Sequence, residues 1–299
     1  MFGGLTMSII IRGYEETDLP MIQEIDFILW LELQWHKEFE KENAFVALKD
    51  DLIVGVGALS YDASWHCMEM ETEHKLHMDI SVREGCDTCD DVKCDLIYRL
   101  LERFRVYQEM YPKKELSISY WHESTQIEDM QRLLKAGFHM KGVTPVLKYD
   151  LSKEIKHSAI PSQIRIEALP MDEENVDAYI KATALANAGI PDSKAEVWFR
   201  SGSGTFQIFV AKDQDQIVSA ATVWDIGEGR AATENIFTIP AYRRQNIARE
   251  VIAVGLEELK RRGNQCATLS MLGTNVNAMK LYESIGYELM YLLIELRYQ

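Results

Sequence analysis

FVALKDDLIVGVGAL, residues Phe45 to Leu59, lines up without gaps on FVAKDQDQIVSAATV, residues Phe209 to Val223, and six of the fifteen positions are identical. Each copy is an apolar run, a polar turn and a second apolar run, the pattern of a β-hairpin. A repeated hairpin points to a repeated domain if the flanks agree. They do. A strand-like opening and a helical segment precede each copy, SIIIRGYEETDL from Ser8 and QIRIEALPMDEE from Gln163. A strand, a longer helix, another strand and a helix ending in a Gly-aromatic pair follow each, the pairs being Gly137-Phe138 and Gly286-Tyr287. LSKEIKHSAIPS, between the repeats, is polar and contains a proline, as a linker does. We expect an α/β chain of two tandem domains, 7–152 and 163–299, joined by a linker at 153–162. Residues 1–6 read as a leader or expression remnant ahead of a second methionine, Met7.

Composition narrows the function classes. With 47% hydrophobic and 26% charged residues the chain reads as soluble and globular. No run approaches the roughly 18 apolar residues of a membrane span, and the N-terminus lacks a signal-peptide pattern, so a cytoplasmic protein is expected. The net charge of -15 divides into -12 for residues 1–150 (16 Lys+Arg, 28 Asp+Glu) and -3 for the rest (16 and 19). That balance argues against nucleic acid, which needs a basic footprint, and favours a cationic small molecule as partner.

Five cysteines do not form a disulfide framework. Cys86, Cys89 and Cys94 could offer thiolates to zinc with His74 or His77, but no second C-x-x-C follows. Ordinary reduced thiols are the expectation, with no metal.

The chemistry gathers in the second repeat. After AATENIFTI, a strand stopped by Pro240, IPAYRRQNIAREVI places Arg243, Arg244, Gln245 and Asn246 before a helix with its apolar stripe at Ala248, Val251, Ile252, Leu256 and Leu259. A strand, a turn and a helix N-terminus bring unpaired backbone N–H groups together, and the helix dipole favours an anion there. Two arginines add full charge. A phosphate or pyrophosphate is the natural guest, against the alternative of a solvated basic turn. Further on, CATLSMLGTNVNAMKLYESIGYEL supplies a strand, a polar turn with Asn275 and Asn277, and a short helix.

At these two stretches the chain resembles the GNAT superfamily of acyl-CoA-dependent N-acetyltransferases. Arg243-x-x-Asn246-x-Ala248 matches the family's (Arg/Gln)-x-x-Gly-x-(Gly/Ala) turn, with Asn in place of the first glycine. Asn275, Ala278, Leu281, Tyr282, Gly286 and Tyr287 match its Asn-x-x-Ala-x-x-Leu-Tyr-x-x-x-Gly-(Phe/Tyr) segment. The resemblance implies two domains, each with a central mixed, mostly antiparallel sheet flanked by helices. It also implies acetyl-CoA as cosubstrate, its pyrophosphate on the N–H groups of Arg244, Gln245, Asn246, Ile247, Ala248 and Arg249. The pantetheine arm would run between strands that splay near Ile236 and Ala267. Backbone groups of Phe237, Thr238 and Ile239 would pair with that arm and polarise the thioester carbonyl. Asn275 and Ala278 would flank the cofactor, with helix capping the alternative for Asn275. A neutral amine attacks directly, Tyr282 donates a proton to the departing thiolate, and Glu234 takes the amine's proton. Core packing is the alternative for Tyr282, and solvation for Glu234.

Asn is the non-glycine residue most at home in left-handed geometry, so Asn246 can keep the bend. In the first repeat, Leu133 stands where the second has Tyr282, and Gln126 where it has Asn275. Glu84, Asp87, Asp90 and Asp91 surround the place a pyrophosphate would occupy, so this copy reads as degenerate. Its helix from Phe27 could line an acceptor site through Trp30 or Trp35, or pack in the core. Two rival readings are an acyl-CoA sensor without turnover and a metal or redox role for the three cysteines. The acceptor amine and the oligomeric state are left open.

Overall fold

A computed structural model describes residues 9–61, 74–86, 88–271 and 273–299, so the 1–6 leader and Asp87 lie outside the described residues. The chain divides into two compact units, Met1–Gly142 with Ile294–Gln299, and Val143–Leu293.

The first unit contains β1 (Ile10–Gly13), α1 (Leu19–Ile25), α2 (Phe27–Trp35), β2 (Ala44–Lys49), β3 (Leu52–Tyr61), β4 (His74–Val82), α3 (Cys89–Met110), β5 (Leu116–Glu123) and α4 (Ile127–Lys135). Then comes β6 (His139–Asp150), most of which belongs to the second unit. The second unit continues with β7 (Ile164–Leu169), α5 (Glu173–Ala186), α6 (Lys194–Ser201), β8 (Gln207–Asp213), β9 (Gln216–Gly227) and β10 (Arg230–Thr238). It ends with α7 (Ile247–Arg261), β11 (Cys266–Ser270), α8 (Val276–Ile285) and the start of β12 (Glu288–Tyr298).

The strand orders are β1-β2-β3-β4-β5 followed by the tail of β12, and β7-β8-β9-β10-β11 followed by β6. The two halves of the sequence therefore repeat one order of elements, as expected. The compact units are cut differently from the 7–152 and 163–299 division, because each half's last strand completes the other unit's sheet.

The repeated stretches form matching hairpins. Lys49 pairs with Leu52 and Asp213 with Gln216, leaving two-residue loops. Asp50 and Gln214, aligned residues, both take φ of 52°, as tight hairpin loops require. The pairing slips between Ala47 and Leu48 and, at the aligned place, between Ala211 and Lys212. Among the described residues each unit also has a parallel pair that stops short. β4 and β5 pair from His74–Leu116 to His77–Ser119, and β10 and β11 from Arg230–Cys266 to Ala232–Thr268. Beyond those residues the strands part.

In the first unit α3 buries Leu96, Leu100 and Phe104 with Phe45, Leu76, Ile118 and Leu296. Ile22, Leu29 and Leu33 of α1 and α2 pack on Val46 and Val56, where Trp30 is partly buried, while Trp35 is exposed. In the second unit α7 buries Val251, Ile252, Leu256 and Leu259, each worth about 1.5–3 kcal/mol. A Cβ on Gly255 would stand 3.0 Å from Val223 Cγ1 of β9, so glycine lets this helix lie close on the sheet. Among the described residues no helix is long and apolar enough to cross a membrane.

Candidate functional site

The site begins where β10 leaves its partner. Glu234 pairs with Thr222 and Phe237 with Ala220, so Asn235 and Ile236 together oppose one residue of β9. Asn235 takes φ of 46° to make this bulge. Bulges re-aim a strand's side chains and backbone groups, and this one lies where β11 has already parted.

Pro240–Tyr242 forms a 3-10 turn after β10. Arg244 and Asn246 then take φ of 65° and 61°. The left-handed geometry expected for Asn246 is therefore present, and a second left-handed residue accompanies it. Asn246 is the N-cap of α7, yet its side chain makes no capping hydrogen bond. The first intrahelical bond of this turn runs from Glu250 N to Asn246 O, so the preceding N–H groups of Ile247, Ala248 and Arg249 have no acceptor within the helix. They stand at the positive end of the helix dipole.

These groups open onto a cleft of about 480 Å³. Its walls are Ile236, Phe237 and Thr238 of β10, Tyr242, Arg243, Arg244 and Asn246 of the turn, and Ile247, Ala248 and Arg249 of α7. Asn275, Asn277, Ala278, Leu281 and Tyr282 face them, with Ala186 and Asn187 at the rim. Eleven of the fourteen expected site residues thus meet in one cleft; Ile239, Gln245 and Glu234 do not.

Local bonding explains each placement. Arg243 donates from Nε to Thr238 O (3.0 Å) and from Nη2 to Ala186 O (3.2 Å), so it ties the turn to β10 and to the end of α5. Arg249 donates to Ser284 O (2.9 Å) and Ser284 Oγ (2.5 Å), bridging α7 to α8. Asn275 Oδ1 accepts from Ala278 N (3.2 Å) and so caps α8. Ile239 is buried, its N–H donates to Val218 O and its carbonyl accepts from Tyr242 N. Both of its backbone groups thus make bonds within the fold. Gln245 turns back to Ala241 O (3.4 Å). Glu234 Oε2 accepts from Trp224 Nε1 (3.2 Å) and lies 3.1 Å from Arg200 Nε.

Tyr282 is 8% exposed, and burial pushes its phenol up to about 12. Its ring leans on Tyr287, whose hydroxyl meets Thr233 Oγ1 at 2.9 Å. Tyr282 therefore enters the cleft as a neutral donor. Sequence reasoning missed Ala186, Asn187 and Tyr242. The first two end α5 before Ala188 and Gly189, both at positive φ, and the Asn-Ala-Gly run is the helix-stop signal that could have marked them.

The first unit has a cleft of about 420 Å³ between the starts of α3 and α4. Of the four carboxylates expected there, Asp90 lines it, whereas Glu84 and Asp91 do not. Lys93 meets Asp129 at 2.5 Å, and Arg132 pairs with both Asp129 and Asp90. Ile80, Ile97, Tyr120 and Leu133, with Lys93, Asp129 and Arg132, line a further cavity of only about 10 Å³. Cys86, Cys89 and Cys94 are free thiols, and among the described residues no three His, Cys, Asp or Glu are grouped to hold a metal.

Residues 204–289 match the Acetyltransferase (GNAT) domain family. No curated protein matches the chain. Among solved structures, the fold is similar to a tandem GNAT protein from the clavulanic acid biosynthesis pathway, with TM-score 0.70 and 10% identity over 97% of this chain and 98% of that one. A GCN5-related N-acetyltransferase from Sphaerobacter thermophilus gives TM-score 0.64 and 13% identity over 97% and 95%. One from Kribbella flavida gives 0.54 and 14% over 81% and 86%. The fold is similar over nearly the whole chain to that of tandem GNAT proteins, and the stretch that matches the GNAT domain family lies within the second unit.

Proposed function

We propose that the second unit transfers an acetyl group from acetyl-CoA to a primary amine in a ternary complex, in the cytoplasm. The observation that carries this reading is the convergence in one cleft of an uncapped helix start, two left-handed turn residues and a buried neutral tyrosine. The missing glycine favoured a sensor without turnover, but Asn246 adopts the geometry that glycine would supply.

Acetyl-CoA, when bound, supplies an activated carbonyl and a thiolate leaving group. The N–H groups of Ile247, Ala248 and Arg249 and the side chain of Arg244 hold its pyrophosphate. The edges of Phe237 and Thr238, where β10 has no β11 partner, orient the pantetheine arm. An alkylamine with a pKa near that of lysine, about 10.4, is almost wholly protonated at pH 7, so it must lose a proton before attack. Glu234, at the bulge, accepts that proton directly or through water. Tyr282 faces the departing sulfur. A phenol held near 12 does not pass its proton outright to a thiolate whose conjugate acid lies near about 8.5. It donates a hydrogen bond that strengthens as charge grows on sulfur.

The test is thiol release from acetyl-CoA across a panel of amines. Tyr282→Phe should lower kcat by about 100–1,000-fold while leaving acetyl-CoA affinity within twofold. A wild-type protein that binds acetyl-CoA but releases thiol with no amine would return the reading to a sensor.

A further inference from the structure

One charged side chain of the second unit stands outside the cleft and yet reaches the reacting end of β10. Arg200, in the last turn of α6, has a side chain 19% exposed. Its Nε lies 3.1 Å from Glu234 Oε2 and its Nη1 lies 2.7 Å from Glu196 Oε2. The guanidinium also lies 5.0 Å from the centre of the Phe199 ring. A guanidinium this enclosed is always charged and has to be paired.

Glu234 is held asymmetrically. Oε2 faces both Arg200 Nε and the indole N–H of Trp224, which donates to it at 3.2 Å. Thr222 Oγ1 donates to the Glu234 carbonyl at 3.0 Å and fixes the backbone. The side chain is 33% exposed, its Oε2 accepting from the Trp224 indole and paired by charge with Arg200, whose Nε lies 3.1 Å away without hydrogen-bond geometry. Asn235 and Ile236, the next two residues, form the bulge, and Ile236 lines the cleft. An isolated surface ion pair would explain neither the indole contact nor the enclosure of Arg200. Two carboxylates, Glu196 and Glu234, thus share one cation.

We propose that Arg200 is a positioning residue for the acceptor: its charge holds Oε2 of Glu234 on its side, leaves Oε1 to the incoming amine, and, shared with Glu196, leaves a surplus of negative charge that selects an alkylammonium. This rests on the acetyl-transfer reading above. An ammonium N–H donates to Oε1, and its proton passes to that carboxylate or to water. The freed lone pair then forms the N–C bond as the C–S bond breaks, its electron pair leaving on sulfur, and the second proton of the acylated nitrogen passes to that thiolate or to water.

The probe is 1,4-diaminobutane, with acetyl-CoA binding measured separately by calorimetry on the full chain. Wild type should release thiol with this diamine. Arg200→Gln should raise the diamine KM at least tenfold and move the acid limb of the kcat/KM profile, with acetyl-CoA affinity unchanged within twofold. Arg200→Lys, which keeps the charge, should recover part of the loss. Glu234→Gln carries the test if Arg200→Gln does not fold, and should raise the same KM at least tenfold. A protein that binds acetyl-CoA but ignores the diamine overturns the proposal, as does an Arg200→Gln variant, or its Glu234→Gln substitute, with unchanged KM. Parallel loss of kcat and acetyl-CoA affinity would assign Arg200 a merely structural part and also overturn it. Failure to bind acetyl-CoA at all would sink the acetyl-transfer reading instead.

Discussion

Asn246 illustrates how a single backbone angle decides a site. Its φ of 61° is one that a side chain with a Cβ rarely accepts, and asparagine tolerates it better than other residues. Since its side chain makes no capping bond, Asn246→Ala removes no hydrogen bond and tests the angle alone. We expect a loss of about 1 kcal/mol in chemical denaturation and weaker acetyl-CoA binding by calorimetry. Asn246→Gly should bind at least as well as wild type, because the angle is retained and the side chain beside the anion is gone. An alanine variant with wild-type stability and affinity would show that the angle does not matter. Asn246 was legible because its residue type signals left-handed backbone. Arg244 at φ 65° was not, because nothing local marks an arginine for that conformation. The bonding of Ile239 was not legible for a related reason: sequence locates a strand end but not which of its N–H groups the neighbouring strand has already taken.

At the scale of elements, the cleft depends on α7 being pressed against β9. Gly255 makes the approach possible, with a built Cβ 3.0 Å from Val223 Cγ1 and 3.9 Å from Phe209 Cδ2. Alanine at this position would gain about 1 kcal/mol in helix propensity and lose some of it to the close contact. Valine adds two more carbons with no room to go. Gly255→Val should destabilise the protein by about 1–3 kcal/mol and weaken acetyl-CoA binding, because α7 must lift and carry its uncapped N-terminus with it. Unchanged affinity in a variant of lowered Tm would separate the helix's packing from its place at the site. The helix and its apolar stripe were readable from the spacing of Val251, Ile252, Leu256 and Leu259. The bulge at Asn235 and Ile236 was not, since its one extra residue is visible only against Ala221 on the facing strand.

For the whole molecule, the repeat was legible and the sheet that each half's last strand joins was not, because a strand's own residues do not name the sheet that it enters. The hairpins announced two copies through their shared Phe-Val-Ala openings. Yet β6, encoded by the first half, pairs with β11 from Val146–Ser270 to Asp150–Cys266. In turn, Ile294–Gln299 at the end of the second half belongs to the first unit, where Leu296 is wholly buried. Neither half of the sequence carries a complete unit. A fragment of residues 163–299 would leave β11 without β6, exposing an unpaired edge and the apolar residues beneath it. We expect that fragment to aggregate or to melt without cooperativity, and not to bind acetyl-CoA. Adding back residues 1–162 as a separate chain should restore binding, since it supplies β6 and receives the β12 tail. Circular dichroism melts, size exclusion and calorimetry on the fragment alone and on the mixture check this. A fragment that melts cooperatively at the full chain's temperature and binds acetyl-CoA would show that the strand exchange is dispensable to the site.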